Sequence, residues 1–436
     1  MPHIILIGTL DSKLQAFSYL HAQLLEAAAA ASSTPLQITL IDCGRSNTNH
    51  HPLITISHAD LVTRYGPNEP RDLQTIQRGE VIKHMTLCAT ACIQDLIANT
   101  EIHGIISAGG SGGTSLVSAV MRDAAPLGMP KLIVSTVASG DTGPIVAECD
   151  ITMMYSVVDI AGMNGMLRAV LSNAAGAMLG MSAAYERSLE RARRRKNSEE
   201  SREDVTRVGI TMFGVTTPCV EQIVKHLDAK YSVEVFVFHA TGHGGKAMER
   251  MIREGRLDAI LDLTTTEICD HLFGGNMSAG PNRLEAALEA GIPNIVSIGA
   301  TDMVNFGPME MVPSGYKERL LLEHNPVVTL MRTTKEECEE VAKFILEKIQ
   351  KYATRSEMVE VWLPHEGVSV ISTPGAVFAD LEAEKALVET VAEGLQGSGV
   401  KVVKDSRHIN EEGFANDIAD SLMTMVSRRE QCSIHP

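Results

Sequence analysis

Short, continuously apolar runs of strand length recur along this chain, and each one breaks into a loop of Gly, Thr, Ser or Asp before a segment with helical periodicity. In the first half they fall at residues 4–7, 36–41, 102–108, 131–136 and 151–158, and in the second at 208–213, 233–238, 259–263, 295–298 and 360–363. A strand that is apolar on both sides needs cover on both faces, and the helical segments between the runs supply it. The fold class that meets this demand is α/β, with parallel sheets and flanking helices. Aromatic residues make up only 4% of the 436 residues, with Trp362 the sole tryptophan, so the core rests on Ile, Val, Leu, Ala and 21 methionines.

A charge run marks the expected division. Arg187, Arg191, Arg193, Arg194, Arg195 and Lys196 are followed by Glu199, Glu200, Glu203 and Asp204, so the basic field is cancelled beside itself and the run reads as a solvated helix end and linker. The expected organisation is an N-terminal domain at 1–195, a charged linker at 196–204 and a C-terminal domain at 205–436. The formal net charge of −16 argues against a general nucleic-acid surface or an anionic membrane surface, while leaving room for a local basic pocket. Eight scattered cysteines without a CxxC pair read as reduced, mostly buried thiols of a cytoplasmic protein. Cys88 and Cys92, four apart on a helical pattern, are either half a metal site or buried packing. The start of the chain carries no secretion pattern, and the most apolar helical stretch, 169–184, is too short and too polar at its edges to span a bilayer.

The loop Gly109-Gly110-Ser111-Gly112-Gly113-Thr114-Ser115 carries the strongest chemical signal. Glycines let the backbone approach an anion closely, and Thr114 and Ser115 are placed to cap a following helix, expected from residue 116, whose N-terminus favours negative charge. The run is neither a Walker A loop nor a GxGxxG fingerprint, and its other reading is a flexible strand-to-helix turn. Further loops should open on the same edge of the sheet. In Gly8-Thr9-Leu10-Asp11-Ser12-Lys13, Asp11 suits a magnesium ion or a ribose hydroxyl, Thr9 and Ser12 suit phosphate oxygens, and Lys13 suits phosphate charge; a helix cap with a solvated lysine is the alternative. Asp42 ends the next strand where nucleotide folds bind ribose, with Arg45 and Ser46 beside it, and a surface turn is the other reading. Residues 47–71 read as a long excursion that can cover the site. Arg78 and His84 stand early in a helix expected over 72–99, His84 on an exposed polar face. The loop 137–143 offers small residues and short donors, and a long helix is expected over 159–187 with Gly162, Asn164 and Gly165 at its start.

In the second half, His239 and His243 are four apart, and Asp262, Glu267 and His271 come from the next unit. Such a set suits zinc or iron, or acid–base work. The turn Thr241 to Lys246 is a second candidate phosphate loop. No GxSxG elbow supports nucleophilic serine chemistry.

Taken together, Ile7-Gly8-Thr9-Leu10-Asp11-Ser12-Lys13, the glycine run 109–115, Ser135-Thr136-Val137-Ala138-Ser139-Gly140, Gly242-His243-Gly244-Gly245 and Asp262-Leu263-Thr264-Thr265-Thr266-Glu267 resemble the ATP-binding family typified by the plant tomato mosaic virus resistance protein. The resemblance covers most of the chain. It implies two Rossmann-like domains, with ATP and Mg2+ bound by the first, and a homo-oligomer built as a dimer. By position it assigns nucleotide contact to Asp11, Ser12, Lys13, Gly110, Ser111, Gly112, Gly113, Thr136, Ala138, Ser139 and Gly140, and adds Arg78 and Asn164. Leu10 and Ser12 depart from the pattern, where a small residue and Thr are expected, and the plant members carry a further barrel-like domain. Two functions stay open: an ATP-binding, regulatory protein, or a ligase-like or kinase-like enzyme acting on an unknown small acid with His239, His243 and Glu267.

Overall fold

The computed structural model describes residues 2–31, 35–46, 51–67, 72–197 and 205–434. The chain divides into two compact units, Met1–Ser201 and Arg202–Pro436. Most of the expected linker, residues 198–204, lies outside the described residues.

Unit 1 runs β1 (His3–Gly8), α1 (Leu10–Ala30), β2 (Gln37–Asp42), α2 (His58–Tyr65), α3 (Arg78–Asn99), β3 (Gly104–Gly109), α4 (Ser111–Ala124), β4 (Lys131–Ser135), α5 (Gly143–Val146), β5 (Thr152–Tyr155) and α6 (Gly165–Asn197). Its strands are all parallel, in the order β2-β1-β3-β4-β5. Alternate residues of β1 show why the runs are apolar throughout. Ile4 and Leu6 pack with Phe17, Leu20, Leu171 and Met178 of α1 and α6, while Ile5 and Ile7 pack with Met85, Cys92 and Val120 of α3 and α4. The winding reverses between β1 and β3, which leaves a crevice at their carboxyl ends.

Five local expectations are corrected. The excursion at 47–71 contains a helix, α2, because the Ser57 hydroxyl accepts from the Asp60 amide at 3.1 Å and Leu61 is fully buried. Helix α3 begins at Arg78 rather than 72, and His84 is buried rather than exposed. Helix α4 begins at Ser111, so the glycines belong to its first turn. Helix α6 begins at Gly165 rather than 159, because the Asn164 side chain accepts from the Leu167 amide at 2.9 Å and caps it. Although α3 is long and apolar enough to cross a membrane, it lies in this core through Val81, Met85, Cys88, Ala89, Cys92 and Ile93.

Unit 2 runs β6 (Thr206–Met212), α7 (Thr217–Lys230), β7 (Val233–His239), α8 (His243–Arg253), β8 (Ala259–Thr264), α9 (Thr266–Phe273), α10 (Glu285–Ala290), β9 (Asn294–Gly299), β10 (Met303–Phe306), β11 (Leu321–Asn325), β12 (Val328–Arg332), α11 (Lys335–Tyr352), β13 (Val359–Pro364), α12 (Leu381–Gly394), β14 (Lys401–Asp405) and α13 (Glu412–Ile434). Its main sheet is parallel, in the order β14-β13-β9-β8-β6-β7. Counted within the unit, this extends the winding of unit 1 by one strand. Between β9 and β13 the chain inserts an antiparallel sheet, β10-β12-β11, which no strong run in the sequence announces.

Arg332 at the end of β12 is buried, its Nε donating to the Phe378 carbonyl at 2.7 Å. Asp302 and Glu384 are buried in the same region. The Ser369 hydroxyl donates to Asp302 at 2.8 Å, whereas Glu384 Oε1 stands 3.9 Å from Arg332 Nη2, beyond hydrogen-bond reach. Burial pushes the Asp302 carboxyl up to about 6 and that of Glu384 up to about 7.

Candidate functional site

A cavity of about 780 Å³ in unit 1 opens where the winding reverses. The β1 loop brings Thr9, Asp11, Ser12 and Lys13 to it, α3 brings Arg78, α4 brings Gly110 to Gly113, and the end of β4 brings Thr136. These ten residues, all singled out in the sequence, therefore share one wall system. Ala138, Ser139, Gly140 and Asn164 do not line it. The first three form a turn in which the Gly140 amide donates to the Val137 carbonyl at 3.2 Å, and Asn164 is spent on capping α6.

The local chemistry of the glycine loop differs from expectation at the cap. Gly110 is the N-cap of α4, and no side chain caps it. Thr114 does not serve that purpose: its hydroxyl lies 2.7 Å from the Ser135 hydroxyl, tying α4 to β4. The first bond of the helix runs from the Thr114 amide to the Gly110 carbonyl at 2.9 Å, so the amides of Ser111, Gly112 and Gly113 precede any intrahelical acceptor. They stand at the positive end of a 14-residue helix. The Arg78 guanidinium lies so close to Gly112 that a Cβ there would stand 2.7 Å from Nη2. Lys13, a non-helical point within α1, donates from Nζ to the Ile160 carbonyl at 2.7 Å. Asp11 accepts from the Arg45 amide at 2.8 Å.

Asp42 does not face the cavity. It is fully buried and accepts from the amides of Leu10 at 3.1 Å and Gly44 at 2.8 Å, which excludes the ribose reading. The Arg45 guanidinium is likewise occupied, by the carbonyls of Leu73, Gln74 and Ile76. The sequence reading missed a further contribution, the segment from Tyr155 at the end of β5 to Asp159, together with Val81, Ile82 and Leu116. The signal available for it was position alone, since β5 ends on the same edge of the sheet.

In unit 2 the second candidate phosphate loop is filled from within. Glu267, fully buried, accepts from the amides of Gly242 at 2.7 Å and Gly245 at 3.0 Å, so the chain's own carboxylate occupies the N-terminus of α8. Arg283, also buried, donates from Nε to Glu267 at 2.8 Å and from Nη2 to Asp262 at 2.6 Å. Burial opposes the Arg283 charge, and Asp262 and Glu267 together hold its guanidinium above the ordinary value. The glycines here serve packing: a Cβ on Gly245 would stand 2.0 Å from Glu267 Oε2. Glu267 is therefore not presented with His239 and His243, both of which are exposed, and His271 packs its ring on Phe344 at 5.9 Å. Among the described residues, no group of three or more His, Cys, Asp or Glu side chains is placed to hold a metal ion. Cys88 and Cys92 are buried in the core of unit 1.

The class defined by these features is a doubly wound α/β protein of two Rossmann-like units, the first carrying an uncapped helix N-terminus on a cavity. Residues 2–187 match the N-terminal domain, and residues 205–426 the C-terminal domain, of the uncharacterised protein family UPF0261. The chain belongs to that family. It is 42% identical to a UPF0261 protein of Clostridium tetani, covering 98% of this chain and 99% of the relative. It is 38% identical to the ToMV resistance protein Tm-1 of Solanum lycopersicum, over 99% of this chain and 57% of that protein. The ToMV susceptible protein of the same plant is 37% identical, over 97% of this chain and 56% of its own length; the chain thus spans a little over half of the tomato proteins. Among solved structures, the UDP-GlcNAc 2-epimerase of Methanocaldococcus jannaschii aligns with 68% of this chain and 83% of its own at 9% identity, with a TM-score of 0.18. At that score the likeness says nothing of activity.

Proposed function

We propose that unit 1 binds ATP with Mg2+ in this cavity, the phosphates lying on the N-terminus of α4. The observation that carries the reading is the contrast between two helix starts of one chain. The α8 start holds an internal carboxylate, whereas the α4 start has no side-chain cap and opens on a cavity that also contains Lys13 and Arg78. Unpaired amides, a helix dipole and two cations form a site suited to a polyanion. Asp11 and Asp159 line the same cavity, and Mg2+ is commonly held by one or two carboxylates together with substrate phosphates and water. The metal would screen phosphate charge, and Arg78 and Lys13 would orient the chain of phosphates. Because Glu267 is committed to Arg283 and two amides, the reading is binding rather than ligase-like or kinase-like transfer.

The test is calorimetric titration of the parent protein and of Gly113→Asp with ATP and Mg2+. A Cβ on Gly113 meets nothing within 4 Å, and an acidic residue in the first turn favours the helix, so the variant should fold with an unchanged or raised Tm. Its carboxylate would occupy the place proposed for phosphate. The expected result is binding by the parent and at least about tenfold weaker binding by the variant. No binding by the parent, or equal binding by both, would refute the reading.

A further inference from the structure

The end of β5 carries a feature that phosphate binding does not use. Val157 has φ +64°, a conformation that a β-branched residue rarely adopts. It sits at the centre of a three-residue turn closed by the Val158 amide donating to the Ser156 carbonyl at 2.7 Å. Buried Ser156 holds that turn in place: its hydroxyl donates to the Val158 carbonyl at 2.7 Å, and its amide donates to the Ser135 carbonyl at 3.1 Å. The strain is thus over-determined by the surroundings, as it is where a backbone is held for a ligand. Its result is that Val157 and Tyr155 line the cavity while remaining 52% and 43% exposed.

We infer that Tyr155 and Val157 receive the planar base of the bound nucleotide, with Ile82 and Leu116 completing the apolar part of the same cavity. The inference rests on the nucleotide reading above. An inorganic anion would need only the charged residues near α4, and apolar surface kept in water by a strained turn has no purpose for it. A base does use it, because an aromatic ring and a branched aliphatic group present flat, low-entropy apolar contact. The sheet order puts β5 two strands from β3, about 10 Å at the usual strand spacing, which leaves room for a ribose between phosphates at α4 and a base at β5. Val157 acts as a specificity-determining residue by shape, and the Ser156 turn positions it.

The experiment titrates ATP and inorganic tripolyphosphate, each with Mg2+, into the parent, Val157→Gly and Tyr155→Ala. Glycine accepts a positive φ without strain, so Val157→Gly keeps the fold. The expected result is about tenfold weaker ATP binding in each variant, the size of losing one good apolar contact, with tripolyphosphate binding equal to the parent. Unchanged ATP binding in both variants overturns this inference while the nucleotide reading stands. Equal losses for both probes also overturn it, by showing that the segment shapes the phosphate end. A parent that binds neither probe removes the nucleotide reading, and this inference with it.

Discussion

Replacing Glu384 by glutamine should flatten the pH dependence of the stability of unit 2. Glu384 is 3% exposed, with its nearest cation, Arg332 Nη2, at 3.9 Å. Burial is the main cause and Arg332 opposes it, leaving the carboxyl titrating at about 7 instead of its ordinary 4.5. A carboxyl raised in this way holds its proton more tightly in the folded than in the unfolded chain. Its contribution therefore erodes stability as pH rises from about 4.5 through about 7. Integrating between about pH 6 and about pH 8 gives a loss of roughly 1 kcal/mol from this one group. Both conditions lie above the sequence pI of 5.4, which favours solubility. Trp362, the sole tryptophan, lies in β13 and is buried against Phe414, so urea unfolding followed by its fluorescence reads unit 2 alone. The buried glutamine amide adds an offset common to both pH values, and Asp302 titrates in both proteins. The parent should lose roughly 1 kcal/mol more than Glu384→Gln between the two conditions. Parallel losses would show that Glu384 is already ionised in the fold and would refute the reasoning.

Two further outcomes follow from the ion pairs and the cavity. Glu267→Ala leaves two buried amides of α8 without their acceptor and removes one of the Arg283 partners, so the same Trp362 unfolding curve should shift by roughly 3 kcal/mol; an unchanged midpoint would contradict the internal-anion description. Arg78→Ala should weaken ATP binding by about tenfold through the loss of a charge-assisted phosphate contact, with an unaltered far-ultraviolet spectrum; full retention of affinity would place the phosphates elsewhere.

The α/β class and most parallel strands were legible in the sequence because strands covered on both faces are buried at every position, as β1, β3, β8 and β9 are, and so are mostly apolar. The same pattern hid β11, which is short and largely exposed, and β12, which is buried but interrupted by Thr329 and Arg332, so that neither shows a continuous apolar run. The glycine loop and the residues Asp11, Ser12, Lys13, Arg78 and Thr136 were legible as separate fragments, since Gly and short polar residues at strand ends mark ligand edges. Glycine spacing alone did not tell an open helix start from a filled one. Both α4 and α8 begin in Gly-rich turns, and only the fold brings Glu267, more than twenty positions after Gly242, into the second. Likewise, the segment after β5 carries no motif, and its place in the cavity follows from strand order. Residue patterns thus determined what each strand and loop can be, because burial and backbone freedom are local demands. Tertiary structure decided which polar groups meet, because pairing depends on winding order and on which carboxylate reaches a helix end first.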